Sequence, residues 1–300
     1  GTYGGKLAYQ SFEDDDVTVL NPSVDGLNHP IVSAFAEDAQ GRLWIGSEGG
    51  GLLCRDLEHN CFVDFQIKQS QQSDISRIKR LKCIGNTLYI ASFRGGICCL
   101  DLNNYTLRNL NILDPDDHSP LSVYDFEVDG NDGIWLSNPD TDLMYWKRST
   151  GKVERVYGLE PDGSEARLRT EAISKSPDGM LVLATHVGVV VVDPVSREII
   201  RRFRIEGNDI RLNNLTCFCR TGLSEIWFGT KGAGVARLSL DGGMELVRDS
   251  EGRGLDGICV FGILRDNVSG DVWMSTDSGL YVYRKESGLV EKSNIGSKGE

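Results

Sequence analysis

Residues 41–57 read GRLWIGSEGGGLLCRDL, and the same arrangement returns along the whole chain. The returns are NTLYIASFRGGICCLDL (86–102), DGIWLSNPDTDLMYWKR (132–148), DGMLVLATHVGVVVVDP (178–194), SEIWFGTKGAGVARLSL (224–240) and GDVWMSTDSGLYVYRKE (270–286). Each begins with a turn, followed by an apolar residue and a large one. A small residue and a Ser or Thr come next, then a Gly-containing loop and a second apolar segment. The large residue falls at Trp44, Tyr89, Trp135, Val182, Trp227 and Trp273, at intervals of 45, 46, 47, 45 and 46 residues. Four of the five tryptophans occupy this one slot. Chance does not arrange that; one supersecondary unit repeated along the chain does.

Working outward, each unit has room for four short strands rich in Val, Ile, Leu and aromatic residues. The first is expected at 31–37, 43–47, 51–56 and 60–66, and the fifth at 215–220, 225–230, 234–238 and 244–247. Asx-Gly turns such as Asp132-Gly133, Asp178-Gly179 and Asp241-Gly242 separate strands. No helical periodicity is found. Four strands at this spacing predict an all-β fold, a β-propeller of four-stranded antiparallel blades. The repeats run 27–68, 74–111, 119–157, 167–206, 212–248 and 255–292. Residues 1–20 read as the outer half of a further, split blade, with 17–20 as its last strand. The expectation is a single seven-bladed propeller, cut from a longer protein, with the slot residues filling the layers between blades.

Composition narrows the function classes. The chain has 300 residues and 35 glycines, an excess that matches one recurring turn and loop per repeat. Its formal charge is −12, with 44 acidic against 32 basic residues, so no basic face for nucleic acid is expected. The longest apolar run, 180–192, is interrupted by Thr185, His186 and Gly188, which argues against a membrane span. The eight cysteines show no zinc spacing. Cys217 and Cys219 read as buried strand residues, and Cys54 and Cys61 as a candidate pair across one hairpin. The four histidines form no metal motif, and His59 reads as a solvated turn residue. No nucleophile elbow, P-loop or dinucleotide fingerprint appears. Glu13–Asp16 lacks the spaced Asx-Gly ligands of a calcium loop. No cofactor and no metal are expected. Glu48 and Asp277 are the carboxylates a propeller hydrolase would have to oppose across its funnel. The favoured reading is non-catalytic.

The repeat resembles the two-component regulator propeller repeat. Asp38-Ala-Gln-Gly41-Arg-Leu-Trp44-Ile-Gly46-Ser47 with Gly51-Leu52 carries the resemblance, as do Glu225-Ile-Trp227-Phe-Gly229-Thr230 and Asp271-Val-Trp273-Met-Ser275-Thr276 with Gly279-Leu280. The second and fourth units depart in the tryptophan slot, and the third has Asn138 in place of Thr. The resemblance implies a periplasmic sensor half of a hybrid two-component system, in which a histidine kinase and a transcription regulator follow a membrane span. It also implies an oligosaccharide ligand derived from glycans and control of genes for its use. The partners it implies are a neighbouring propeller or β-sandwich domain of the same protein; a second copy of the chain is a further candidate.

One slot refuses to repeat. The residue after the Ser/Thr position is Tyr3, Glu48, Phe93, Pro139, His186, Lys231 or Asp277. A slot free of shared packing demands is where specificity can be written. Aromatic, acidic and basic groups are the types that hold sugars. The expected ligand-binding set at the propeller mouth is therefore Tyr3, Glu48, Phe93, His186, Lys231 and Asp277, with Arg94 and Asp140 as neighbours of the slot. His29, His118, Arg169, Asn213 and Asn214, on loops leading into first strands, could add to it. A protein-interaction or dimerisation scaffold is the alternative, and a propeller lyase or glycan-cleaving enzyme the less favoured one.

Overall fold

The repeats fold as four-stranded antiparallel sheets in strict chain order, in a computed structural model that describes residues 7–10, 17–20, 31–59, 61–63, 68–69, 75–130, 132–138, 141–222, 225–239, 243–249 and 251–293. The chain divides into two compact units. The first unit holds three blades. Blade 1 is Val32–Glu37, Arg42–Ser47, Leu52–Asp56 and Cys61–Phe62; blade 2 is Ile78–Ile84, Thr87–Ser92, Gly96–Asp101 and Thr106–Asn109; blade 3 is Asp125–Asp129, Gly133–Ser137, Met144–Lys147 and Lys152–Arg155. Lys68–Gln69 adds a short parallel strand to the outer edge of blade 2. Leu7–Gln10 and Val17–Leu20 form a separate antiparallel hairpin.

The second unit holds three more. Blade 4 is Thr170–Lys175, Leu181–Thr185, Gly188–Val192 and Ile199–Phe203; blade 5 is Leu215–Arg220, Glu225–Thr230, Val235–Ser239 and Gly243–Leu246; blade 6 is Val260–Arg265, Val272–Thr276, Gly279–Tyr283 and Val290–Lys292. A short 3-10 turn, Ile210–Asn213, leads into blade 5. This is an all-β propeller fold, and six of its blades lie among the described residues. Among those residues no helix is long and apolar enough to cross a membrane.

The second strand of each blade explains the continuous apolar reading of the repeat. Side chains alternate across a strand. In blade 2, Leu88 and Ile90 pack in the layer shared with blade 1, while Tyr89 and Ala91 pack in the layer shared with blade 3. In blade 5, Ile226 and Phe228 face blade 4 and Trp227 faces blade 6. A strand buried on both faces has no polar side to alternate with. Trp44, Tyr89, Val182 and Trp227 take the face toward the next blade and are buried there. Trp135 is also buried, whereas Trp273 on blade 6 is only half-buried. Its cross-strand neighbour Leu264 is 67% exposed, and nearby Phe261 is 56% exposed.

The turn before the slot is held by a carboxylate. Asp38 Oδ1 accepts from the N–H groups of Gln40 and Arg42, at 2.9 and 3.1 Å. Asp38 Oδ2 accepts from Trp44 Nε1 at 2.8 Å and Arg42 Nε at 2.7 Å. Arg42 Nη1 continues to the Tyr105 hydroxyl of blade 2 at 2.8 Å, which ties the two blades. Burial alone would raise the Asp38 pKa; the bonds from Trp44, from the backbone and from Arg42 outweigh it and lower it.

The cysteine expectation for blade 1 is corrected. Cys54 is buried and its carbonyl accepts from Val63 N–H, while Cys61 sits opposite Asp56 and is exposed; all eight cysteines are free. Burial pushes the Cys54 thiol up to about 12. Cys217 is buried and Cys219 half-buried on blade 5. His59 is exposed yet not merely solvated: its Nδ1 lies 2.9 Å from Asp56 Oδ2, a contact that raises its pKa.

Candidate functional site

In blades 1, 4, 5 and 6 the loop after the second strand is closed by the Ser/Thr hydroxyl of the repeat. Ser47, Thr185, Thr230 and Thr276 each donate to the carbonyl of the loop glycine, at 3.1, 2.7, 2.8 and 2.7 Å. Each also accepts a loop N–H, from Gly50, Val187, Ala233 and Ser278 respectively. The glycine is required by packing as well as by backbone. Gly234 has φ +75°, and a Cβ there would stand 2.7 Å from the Leu255 carbonyl. Its N–H donates to Ile258 of the next blade at 3.1 Å, as Gly96 does to Leu121 at 2.9 Å. The loop is thus fixed by hydroxyl, glycine and main chain. The residue after the hydroxyl is left free.

In the first unit this free position builds a compact charged and aromatic cluster. Glu48 pairs with Lys79 Nζ. The Lys79 ammonium also lies 5.2 Å from the Tyr124 ring centroid. Phe93 meets Tyr124 edge-on, with ring centroids 6.5 Å apart and planes at 83°. The Arg77 guanidinium carbon stacks 4.1 Å from the Phe93 centroid, and that of Arg94 lies 5.5 Å from it. Phe93 N–H donates to the Arg77 carbonyl at 3.0 Å, which holds ring and guanidinium in register.

Lys79 reaches the cluster because of a β-bulge. The first strands of blades 1, 2, 4, 5 and 6 each slip register at their second residue. A bulge re-aims the side chain it carries. In blades 1 and 5 the bulged residues, Ser33 and Thr216, donate to the carbonyls of Ile78 and Val260 on the next blade. In blade 2 the bulged residue is Lys79, and it turns to Glu48.

In the second unit the free positions are exposed. Lys231 forms an antiparallel bridge with Cys259, and its N–H donates to the Asn214 carbonyl at 2.8 Å. Asp277 exchanges bonds with the same residue: its N–H donates to the Cys259 carbonyl at 3.1 Å, and its Oδ2 accepts from Cys259 N–H at 3.3 Å. Burial and then the Asp277 charge raise the Cys259 thiol pKa, against the opposing charge of Lys231. His186 is exposed on the loop of blade 4. Glu48 and Asp277 belong to different units.

Of the sequence-derived set, Glu48, Phe93 and Arg94 come together in the first unit, and Lys231 and Asp277 both meet Cys259 in the second. Tyr3, Pro139, Asp140, His29 and the 13–16 acidic run lie outside the described residues. Asn213 is a structural residue, both ends of its amide being engaged by the Ile205 backbone at 2.8 and 2.9 Å. His118 and Arg169 are exposed. Arg77, Lys79 and Tyr124 were not foreseen as site residues. The signal for Arg77 and Lys79 was a basic run at 77–82; Tyr124 had none. Among the described residues no three His, Cys, Asp or Glu side chains converge as metal ligands.

These repeated sheets, with a free position on each fixed loop, define a β-propeller built to display varied side chains on a constant frame. Residues 26–49 match the family Two component regulator propeller, so the chain carries a repeat of that family there. No curated protein matches by sequence. The fold is similar to the extracellular domain of BT4673 from B. thetaiotaomicron, described as a hybrid two component system, with TM-score 0.66 and 20% identity over 87% of this chain and 33% of that one. It is similar to the corresponding domain of BT3049 from the same organism, with TM-score 0.63 and 17% identity over 87% of this chain and 34% of that one. PorZ, an essential surface component of the type-IX secretion system of Porphyromonas gingivalis, aligns with TM-score 0.71 and 13% identity over 98% of this chain and 44% of that one. The chain therefore spans about a third of the length of the two B. thetaiotaomicron domains.

Proposed function

We propose that the chain is a non-catalytic, extracytoplasmic ligand-sensing propeller of a hybrid two-component signalling protein, placed in the periplasm. We further propose that it reads a glycan-derived oligosaccharide and controls genes for its use. The observation that carries the reading is the Glu48–Lys79–Tyr124–Phe93 cluster, in which Glu48 and Phe93 occupy the position that the repeat leaves free. The repeat at 26–49 and the likeness to extracellular domains of two component systems support the cellular role. Aromatic faces beside a paired carboxylate and ammonium suit a sugar, which offers C–H faces and hydroxyls together. Binding would signal by favouring one arrangement of the parent protein over another, since equal affinity for both shifts nothing.

A thermal-shift screen of the 300-residue chain against neutral and acidic oligosaccharides tests this, because a specific ligand stabilises by mass action. The expected hit is lost in the Glu48→Gln/Phe93→Ala double variant. A hit unaffected by those changes removes the cluster as the site. The second reading, an interaction or dimerisation scaffold, draws on the exposed Phe261 and Leu264 beside Trp273. A concentration-dependent dimer in light scattering, with no oligosaccharide hit, would favour it.

A further inference from the structure

The basic run 77–82 holds four cations, and three are neutralised. Lys79 pairs with Glu48; Arg80 Nε lies 3.1 Å from Asp125 Oδ1; Lys82 Nζ lies 2.9 Å from Glu127 Oε2. Arg77 is the exception. It is exposed and stacked on Phe93, with no carboxylate partner among the described residues. Arg94, the residue after Phe93, is exposed and likewise without an acidic partner among them. Two guanidiniums thus sit within 5.5 Å of one ring centroid, in a chain of net charge −12, and Glu48 in the same cluster is already paired with Lys79.

The loop that carries Arg94 is also unlike its counterparts. Arg94 has φ +58°, the left-handed region that an arginine adopts only at a cost. The equivalent residues of blades 1 and 5 are Gly49 and Gly232, also at positive φ. Ser92, in the hydroxyl slot, is fully buried and its Oγ makes no hydrogen bond, so the usual lock of this loop is missing. The loop is tethered to blade 3 instead, by Arg94 N–H donating to Ser122 Oγ at 3.1 Å. Strain kept at one position, in place of a glycine that would remove it, points to a use for the side chain.

We infer that Arg77 and Arg94 bind an anionic group, the carboxylate or sulfate of an acidic sugar, with Phe93 as the platform beneath it. The Arg77 guanidinium carbon lies 4.1 Å from the Phe93 centroid, and its N–H donors engage no carboxylate among the described residues. Those donors match two oxygens of a carboxylate or sulfate in a bidentate bond. The anion also relieves the mutual repulsion of two like charges. This inference rests on the sensing reading above and narrows its ligand to acidic saccharides.

Arg94→Gly separates binding from folding, because glycine suits the backbone that arginine strains. The variant is expected to melt at or above the parent temperature. Titration calorimetry of the chain with trigalacturonate, a chondroitin sulfate tetrasaccharide and neutral maltotriose reads the rest. The expected result is binding of an acidic probe, weakened about tenfold or more in Arg94→Gly and in Arg77→Gln, the loss typical of a removed charge-assisted bond. The uronate and sulfate probes decide which acid is read. Binding of maltotriose that both variants retain overturns the anionic assignment and keeps the sensor. Binding of no saccharide at all overturns both. An Arg94→Gly variant that melts lower yet binds as tightly assigns Arg94 to the fold and overturns its role here.

Discussion

Blade 1 and blade 6 carry the same motif and bury it differently. Trp44 is wholly enclosed, donating to Asp38 and sharing one buried cluster with Ile78, Leu88 and Cys98 of blade 2. Trp273 is half-buried, with the Arg284 guanidinium placed over it at 5.6 Å. The motif itself does not make a core residue. The face of the next sheet does.

The largest expected effect follows from that contrast. Trp44→Ala should cost about 3–5 kcal/mol in urea unfolding, the range for deleting a fully enclosed aromatic. Trp273→Ala should cost about 1–2 kcal/mol, since less area leaves water. Equal losses at the two positions would break the comparison.

Asp38 sharpens it through pH. Its pKa lies below the ordinary aspartate value of 3.8, so the ionised form is the one the fold favours. The stability it adds is present above that ordinary value and is lost as pH falls through the lower, folded one. Asp38→Asn should lower the melting temperature at pH 7, by an amount worth roughly 2 kcal/mol for weakened bonds to a charged acceptor. It should also flatten the decline between pH 5 and pH 2 (about the span over which such a carboxylate titrates). A variant with the parent's acid profile would remove Asp38 from that role.

The smallest effect compares two hydroxyls in the same slot. Thr230 donates to Gly234 and accepts from Ala233, so Thr230→Val should cost about 1–2 kcal/mol. Ser92 makes no such bond, and Ser92→Ala should be neutral or slightly stabilising in the same denaturation assay. A clear loss at Ser92 would mean that its loop is locked after all.

What was legible in the sequence was what every blade needs in common. The four-strand unit and its tryptophan slot repeat because inter-sheet packing is the same demand met again and again. The half-burial of Trp273 was not legible, because enclosure depends on a neighbouring face and not on the motif. The free position was visible as a failure to repeat, and Glu48, Phe93 and Arg94 came from that signal. Lys79 stayed hidden because a bulge, which leaves no mark in the apolar pattern, re-aims it toward a residue 31 positions earlier. Tyr124 joins through its edge contact with Phe93 and the nearby Lys79 ammonium, both across a blade boundary.

The blade-to-blade bonds of the slot loops, Gly96 to Leu121 and Gly234 to Ile258, run between main-chain atoms. A main-chain bond is blind to which side chain it carries. Substitutions at Glu48, Phe93 or Lys231 can therefore accumulate without each one renegotiating the fold. A lineage that duplicates such repeats inherits a frame whose recognition surface can diverge quickly while its architecture stays put. The same property makes these loops places to graft a new specificity, one residue per blade.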